Sequence, residues 1–81
     1  MKNWFVYIAK CADDTLYTGI TTDTKRRITE HNTSKKGAKY TRSRRPVTLM
    51  KFWIFANRSE ASKEECRIKK LSRKEKLSLI I

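Results

Sequence analysis

Residues 3–11, Asn-Trp-Phe-Val-Tyr-Ile-Ala-Lys-Cys, are apolar at odd and even positions alike. Side chains alternate between the two faces of a strand, so a run without alternation reads as a central strand covered on both faces. A chain of 81 residues has room for one domain, over 1–81. A domain this small buries only about 60% of the surface its unfolded form exposes, so the core around that strand is thin.

The rest of the chain supplies the cover. Ala12-Asp13-Asp14-Thr15 is a turn, and 16–20 is a second strand, which makes a hairpin. Thr22 or Asp23 offers an N-cap for a short helix over 24–32. Residues 33–45 are basic and poor in apolar side chains and read as a loop, after which Pro46 opens a third strand at about 47–55. Asn57 with Glu60 has the capping-box spacing for a helix over 58–70. Ser72 with Glu75 repeats it for a last helix that ends in Leu77, Leu79, Ile80 and Ile81. The expected class is α/β of the α+β type: a small three-stranded antiparallel sheet flanked by helices, in the order ββαβαα.

The hairpin's parity decides what the strands present together. A two-residue loop at Asp13-Asp14 pairs residues whose numbers sum to 27, which places Tyr7 and Tyr17 on opposite faces. An odd loop or a bulge gives a sum of 28. Tyr7, Ala9 and Cys11 then share a face with Tyr17, Gly19 and Thr21, while Ile8, Leu16 and Ile20 form a core on the other. Under that register Ala9 lies opposite Gly19 and leaves a shallow hollow beside two phenols. The odd loop is therefore expected.

Twenty Lys and Arg against eight Asp and Glu give a net charge of +12. Self-repulsion on that scale costs stability and points to a polyanionic partner, with nucleic acid first among them. Lys35, Lys36, Lys39, Arg42, Arg44 and Arg45 lie close together in a stretch without an acid. Thr33, Ser34, Thr41 and Ser43 add hydroxyl donors, and Tyr40 is placed to stack on a base. This composition favours phosphate contacts, which position nucleic acid without reading its sequence. No secretory signal pattern opens the chain, and no apolar stretch approaches the ~20 residues of a membrane span. Cys11 and Cys66 are isolated, so they are expected to be reduced and structural, with a cytoplasmic location as the default.

Phe5-Val6-Tyr7, Tyr17-Thr18-Gly19 and Thr22-Asp23-Thr24-Lys25-Arg26-Arg27 together resemble the signature of the GIY-YIG nuclease superfamily. Gly37-Ala38-Lys39-Tyr40-Thr41-Arg42 and the late Glu65-Cys66-Arg67-Ile68-Lys69-Lys70-Leu71 are similar to its small stand-alone bacterial branch. The resemblance implies metal-dependent hydrolysis of DNA phosphodiesters, at branched, nicked or damaged structures in repair or recombination. It implies that Tyr7 or Tyr17 orients or deprotonates a water, that Arg27 binds the scissile phosphate, and that Gly19 shapes the site. His31, one turn after Arg27, assists proton transfer in that reading. Glu65 is the implied metal ligand; periodicity alone leaves Glu64 and Glu65 equal. One carboxylate with a largely hydrated ion suits Mg²⁺ or Mn²⁺.

Two positions depart from the family pattern. Phe5 stands where the first motif has glycine, and no asparagine follows Asn57, where many relatives carry one after the glutamate. Read singly, each residue also has a plainer role: a tyrosine that packs, a solvated Arg27, a surface His31, or a Glu65 paired with Lys69 at i+4. The rival function is a non-catalytic nucleic-acid-binding module on the same fold. A basic protein–protein adaptor is a third.

Overall fold

The computed structural model describes residues 3–33 and 39–80. Strands β1 (Trp4–Lys10), β2 (Leu16–Thr21) and β3 (Thr48–Phe55) form one sheet in the order β2-β1-β3, with both pairings antiparallel. Helices α1 (Thr24–Thr33) and α2 (Lys39–Arg42) lie between β2 and β3, and α3 (Arg58–Lys69) and α4 (Arg73–Leu79) follow β3.

The unalternating run does form the central strand. On one face Val6 and Ile8 are buried against Ala61 and Ile68 of α3, with Leu16, Ile20, Trp53, Leu79 and Ile80 packed around them. On the other face Tyr7, Ala9 and Cys11 join Val47, with Tyr17, Ile28 and Leu49 at the margin. Full burial of an aliphatic or aromatic side chain contributes about 1.5–3 kcal/mol, so these two thin layers supply most of the driving force. Both cysteines are free thiols, Cys11 buried and Cys66 exposed.

The capping signals act as the sequence indicates. Of the two candidates at α1, Asp23 is the cap: its carboxylate accepts from the Arg26 N–H at 3.0 Å. Asn57 accepts from the Glu60 N–H, and Ser72 and Glu75 form both halves of a capping box. Each cap satisfies N–H groups that have no partner inside the helix.

Two expectations need correction. The segment 33–45 is not all loop, because α2 makes one helical turn within it. Four residues are too few to show periodicity, and so short a helix needs tertiary contacts to persist. The hairpin register is also different. The loop is odd, as expected: Ala12-Asp13-Asp14, closed by Cys11 N–H to Thr15 C=O at 2.8 Å and Asp14 N–H to Cys11 C=O at 3.0 Å. Asp14 takes the left-handed conformation at φ 66°, a position more often filled by glycine. The loop is thus centred on Asp13, and the paired numbers sum to two less than expected. Tyr7 lies opposite Gly19, and Ala9 opposite Tyr17. The shared face of the two tyrosines survives this shift. The hollow does not, because the Tyr7 phenol fills the space over Gly19.

Asn32 fixes α1 to the chain entering β3. Its amide donates to the Val47 carbonyl at 3.0 Å and its oxygen accepts from the Val47 N–H at 2.6 Å. The preceding Arg45–Pro46 peptide is cis. Among the described residues no helix is long and apolar enough to cross a membrane.

Candidate active site

The Tyr7 phenol, 1% exposed, is the centre of the cluster. It comes from the middle of β1 and meets α1, where Arg27 and His31 lie one turn apart on the same face. Tyr7 Oη is 2.7 Å from His31 Nε2, and the Arg27 guanidinium is within hydrogen-bonding reach of the same oxygen. Arg27 also donates to Glu30 at 3.0 Å. His31 is fully buried, and its Nδ1 is 2.8 Å from the hydroxyl of Thr41 on α2.

The electrostatics follow from that burial. Desolvation pushes the Tyr7 phenol far above its ordinary pKa; Tyr17 and Glu65 add to the rise, and Arg27 opposes it. Tyr7 is therefore protonated at neutral pH. Burial, followed by the charge of Arg27, lowers His31 to about 4, with Arg45 adding to the drop and Glu30 opposing it. His31 is therefore neutral, with one nitrogen lone pair available.

Tyr17 on β2 is half-buried and lies beside this pair. Its ring stands edge-on to His31 at 5.2 Å between centroids, tilted against Tyr7 at 6.2 Å, and stacked on Tyr40 at 6.0 Å. Arg44 covers the Tyr40 ring at 4.1 Å, donates to the Tyr40 carbonyl at 2.8 Å, and pairs with Asp13 at 3.1 Å. Arg45 donates to the His31 carbonyl. Arg44 and Arg45 thus brace the site, whereas Lys39 and Arg42 are exposed on α2. Lys35 and Lys36 lie outside the described residues. Thr41 differs from the expected phosphate-facing hydroxyl, since it is fully buried against His31. The signal for it was indirect: a buried imidazole needs a partner at each nitrogen.

The two glutamates of α3 are both half-buried and ion-paired along their own helix. Glu64 is gripped by Arg67 through both carboxylate oxygens. Glu65 is paired with Lys69 at 3.5 Å, and its charge acts on the Tyr7 phenol. Gly19 permits the close approach of Tyr7 to β2.

Two tripeptides on paired strands, Phe5-Val6-Tyr7 and Tyr17-Thr18-Gly19, thus present their tyrosines to an arginine and a histidine on the following helix. Residues 3–78 match the family model of the GIY-YIG catalytic domain. The chain belongs to the GIY-YIG family. A UPF0213 protein of Desulfotalea psychrophila is 64% identical over 77 residues, covering 95% of this chain and 70% of that protein. A UPF0213 protein of Halobacterium salinarum is 54% identical over 74 residues, covering 91% and 95%. The solution NMR structure of a UPF0213 protein from Bacillus halodurans superposes with a TM-score of 0.61 at 49% identity, covering 96% of this chain and 82% of that one. A second NMR structure, from E. faecalis, gives 0.62 at 40% identity, covering 98% and 84%. The fold is therefore that of the small single-domain GIY-YIG proteins.

GIY-YIG nucleases are generally metal-dependent and act on nucleic acid. Among the described residues no three His, Cys, Asp or Glu side chains gather into a metal-binding group. The half-buried Glu65, paired with Lys69, instead offers one carboxylate, whose charge is the smallest of the influences on the Tyr7 phenol. That donor set fits an oxygen-seeking ion that keeps most of its waters, as Mg²⁺ does.

Proposed function

We propose that this chain is a divalent-metal-dependent endonuclease that hydrolyses DNA phosphodiester bonds. The observation that carries the reading is the Tyr7 oxygen, placed between a fixed cation, Arg27, and a neutral imidazole, His31. Arg27 would hold the scissile phosphate with its planar donors. Glu65 would hold Mg²⁺ or Mn²⁺, which when bound supplies a Lewis acid for the departing oxygen.

The protonated state of Tyr7 bears on its role. A buried phenol is a poor base by itself, but it can relay a proton: its oxygen takes one from the attacking water as its own passes to His31 Nε2. Phosphate at Arg27 assists this transfer, because it offsets the charge that, after burial, most depresses His31. Tyr17 flanks the same imidazole and would help to place the water. Lys39 and Arg42, with Lys35 and Lys36, would contact the phosphate backbone, so cleavage is expected to follow DNA structure rather than sequence. Branched, nicked or damaged duplexes, as met in repair and recombination, are the substrates to try first.

The test is to incubate the protein with labelled DNA of these forms and Mg²⁺ or Mn²⁺. Metal-dependent cleavage lost in both Arg27→Ala and Glu65→Ala supports the assignment. Cleavage that persists in both variants rejects it. The Lys69 pairing of Glu65 and the missing asparagine favour a second reading, a nucleic-acid-binding module, which predicts salt-sensitive binding without cleavage.

A further inference from the structure

Three of the four residues of α2 are exposed; Thr41 is fully buried. Its hydroxyl lies 2.8 Å from His31 Nδ1, on the side of the ring opposite the Tyr7 contact. A neutral imidazole carries one N–H and one lone pair, and the partners at its two nitrogens decide which is which. Here they do so unequally. The Tyr7 oxygen already faces Arg27, which can only donate. His31 Nε2, 2.7 Å away, is then the acceptor at hand for the Tyr7 O–H. The ring proton then belongs on Nδ1, where the Thr41 oxygen receives it.

We propose that Thr41 is a positioning residue that holds His31 in the Nδ1-protonated tautomer and so keeps Nε2 open to the proton of Tyr7. The proposal rests on the proton relay described above, and it adds the group that gives the relay its direction. In the opposite tautomer Nε2 would donate to Tyr7, whose oxygen would then face two donors, and no lone pair would be available for its proton. Valine keeps threonine's branched shape but lacks the hydroxyl that donates and accepts.

The chain contains a single histidine, so its imidazole can be read without assignment. The experiment is a long-range proton–nitrogen correlation spectrum of the ¹⁵N-labelled protein at neutral pH, for the wild type and for Thr41→Val, Thr41→Ser and Thr41→Ala. The wild type and Thr41→Ser are expected to show the Nδ1-protonated ring. In Thr41→Val and Thr41→Ala the Nε2-protonated form should appear. Cleavage should fall on the order of tenfold, the low end of the loss seen when the partner that orients a metal-bound imidazole is removed, while DNA affinity stays close to wild type. If Thr41→Val does not fold, the Ser and Ala variants still decide, since they differ by one oxygen at the same site. An Nε2-protonated ring in the wild type, or an unchanged spectrum in Thr41→Ala, would overturn the proposal. A wild type that binds but never cuts would overturn the nuclease reading instead, and leave the tautomer measurement standing.

Discussion

A side chain at position 19 would begin inside the phenol of Tyr7: a Cβ added to Gly19 falls 2.6 Å from Tyr7 Oη and 2.8 Å from Cζ. The glycine has no positive φ, so it serves close approach and not backbone freedom. Gly19→Ala is therefore expected to push the phenol off His31. Overpacking of this kind costs about 1–3 kcal/mol, and each kcal/mol lowers Tm by roughly 4–8 °C in a domain of this size. Thermal unfolding checks the stability loss, and a cleavage assay below the lowered Tm should show a further loss of rate.

Tyr7→Phe removes one oxygen and keeps the ring. Loss of a general acid–base group usually costs about 10²–10⁴-fold in rate, so cleavage should fall within that range while DNA affinity holds. Single-turnover cleavage and equilibrium binding on the same duplex separate the two. A rate within twofold of wild type would remove Tyr7 from the chemistry.

His31 gives stability a pH dependence with a definite sign. Its folded value of about 4 lies below the 6.5 of an unperturbed ring. Between those values the unfolded chain takes up a proton that the folded one refuses. The contribution is full above pH 6.5 and declines as pH falls toward 4. Its upper limit is about 3 kcal/mol. Urea midpoints from pH 7 to pH 4 should fall more steeply for the wild type than for His31→Gln, in which the lowered carboxylates of Glu64 and Glu75 still titrate.

Asn32→Ala should destabilise the fold without touching the chemistry. It leaves the N–H and C=O of Val47 unpaired in a half-buried place, and each such loss costs about 1–3 kcal/mol. Chemical denaturation measures it. Cleavage at low temperature should stay close to wild type.

Salt dependence distinguishes the basic residues from one another. If about five phosphates are neutralised, log affinity falls against log salt with a slope near −4 to −5. The exposed pair Lys39→Ala with Arg42→Ala should make that slope shallower by about 2. Arg44→Ala, whose guanidinium is tied to Asp13 and the Tyr40 carbonyl, should lower Tm as well. Binding isotherms at several salt concentrations test both statements.

Much of this arrangement is legible in the sequence, for identifiable reasons. The unalternating run at 3–11, the cap at Asn57 and the capping box at Ser72 are local signals, and the structure uses each of them. The pairing of Tyr7 with Gly19 rather than Ala9 with Gly19 is not local. It depends on Asp14 taking a left-handed conformation that no glycine announces. Thr41 shows the same limit, because its spacing from His31 carries no periodic signal and α2 is a single turn. Between Glu64 and Glu65 periodicity makes no distinction, and both are paired along their own helix, Glu64 with Arg67 and Glu65 with Lys69; it is the family resemblance that points to Glu65.

The β1–β2 turn gathers distant parts of the chain. The Ala12 N–H reaches the Arg44 carbonyl at 2.8 Å, Asp13 holds the Arg44 side chain, and the Asp14 carbonyl accepts from Arg73 of α4. Hairpin tips are ordinarily where tags, fluorophores or inserted domains are accommodated. This tip is instead a knot between the segment before β3 and the C-terminal helix. A protein engineer who wished to attach a targeting module should leave residues 12–14 alone, because a graft there would loosen both partners at once.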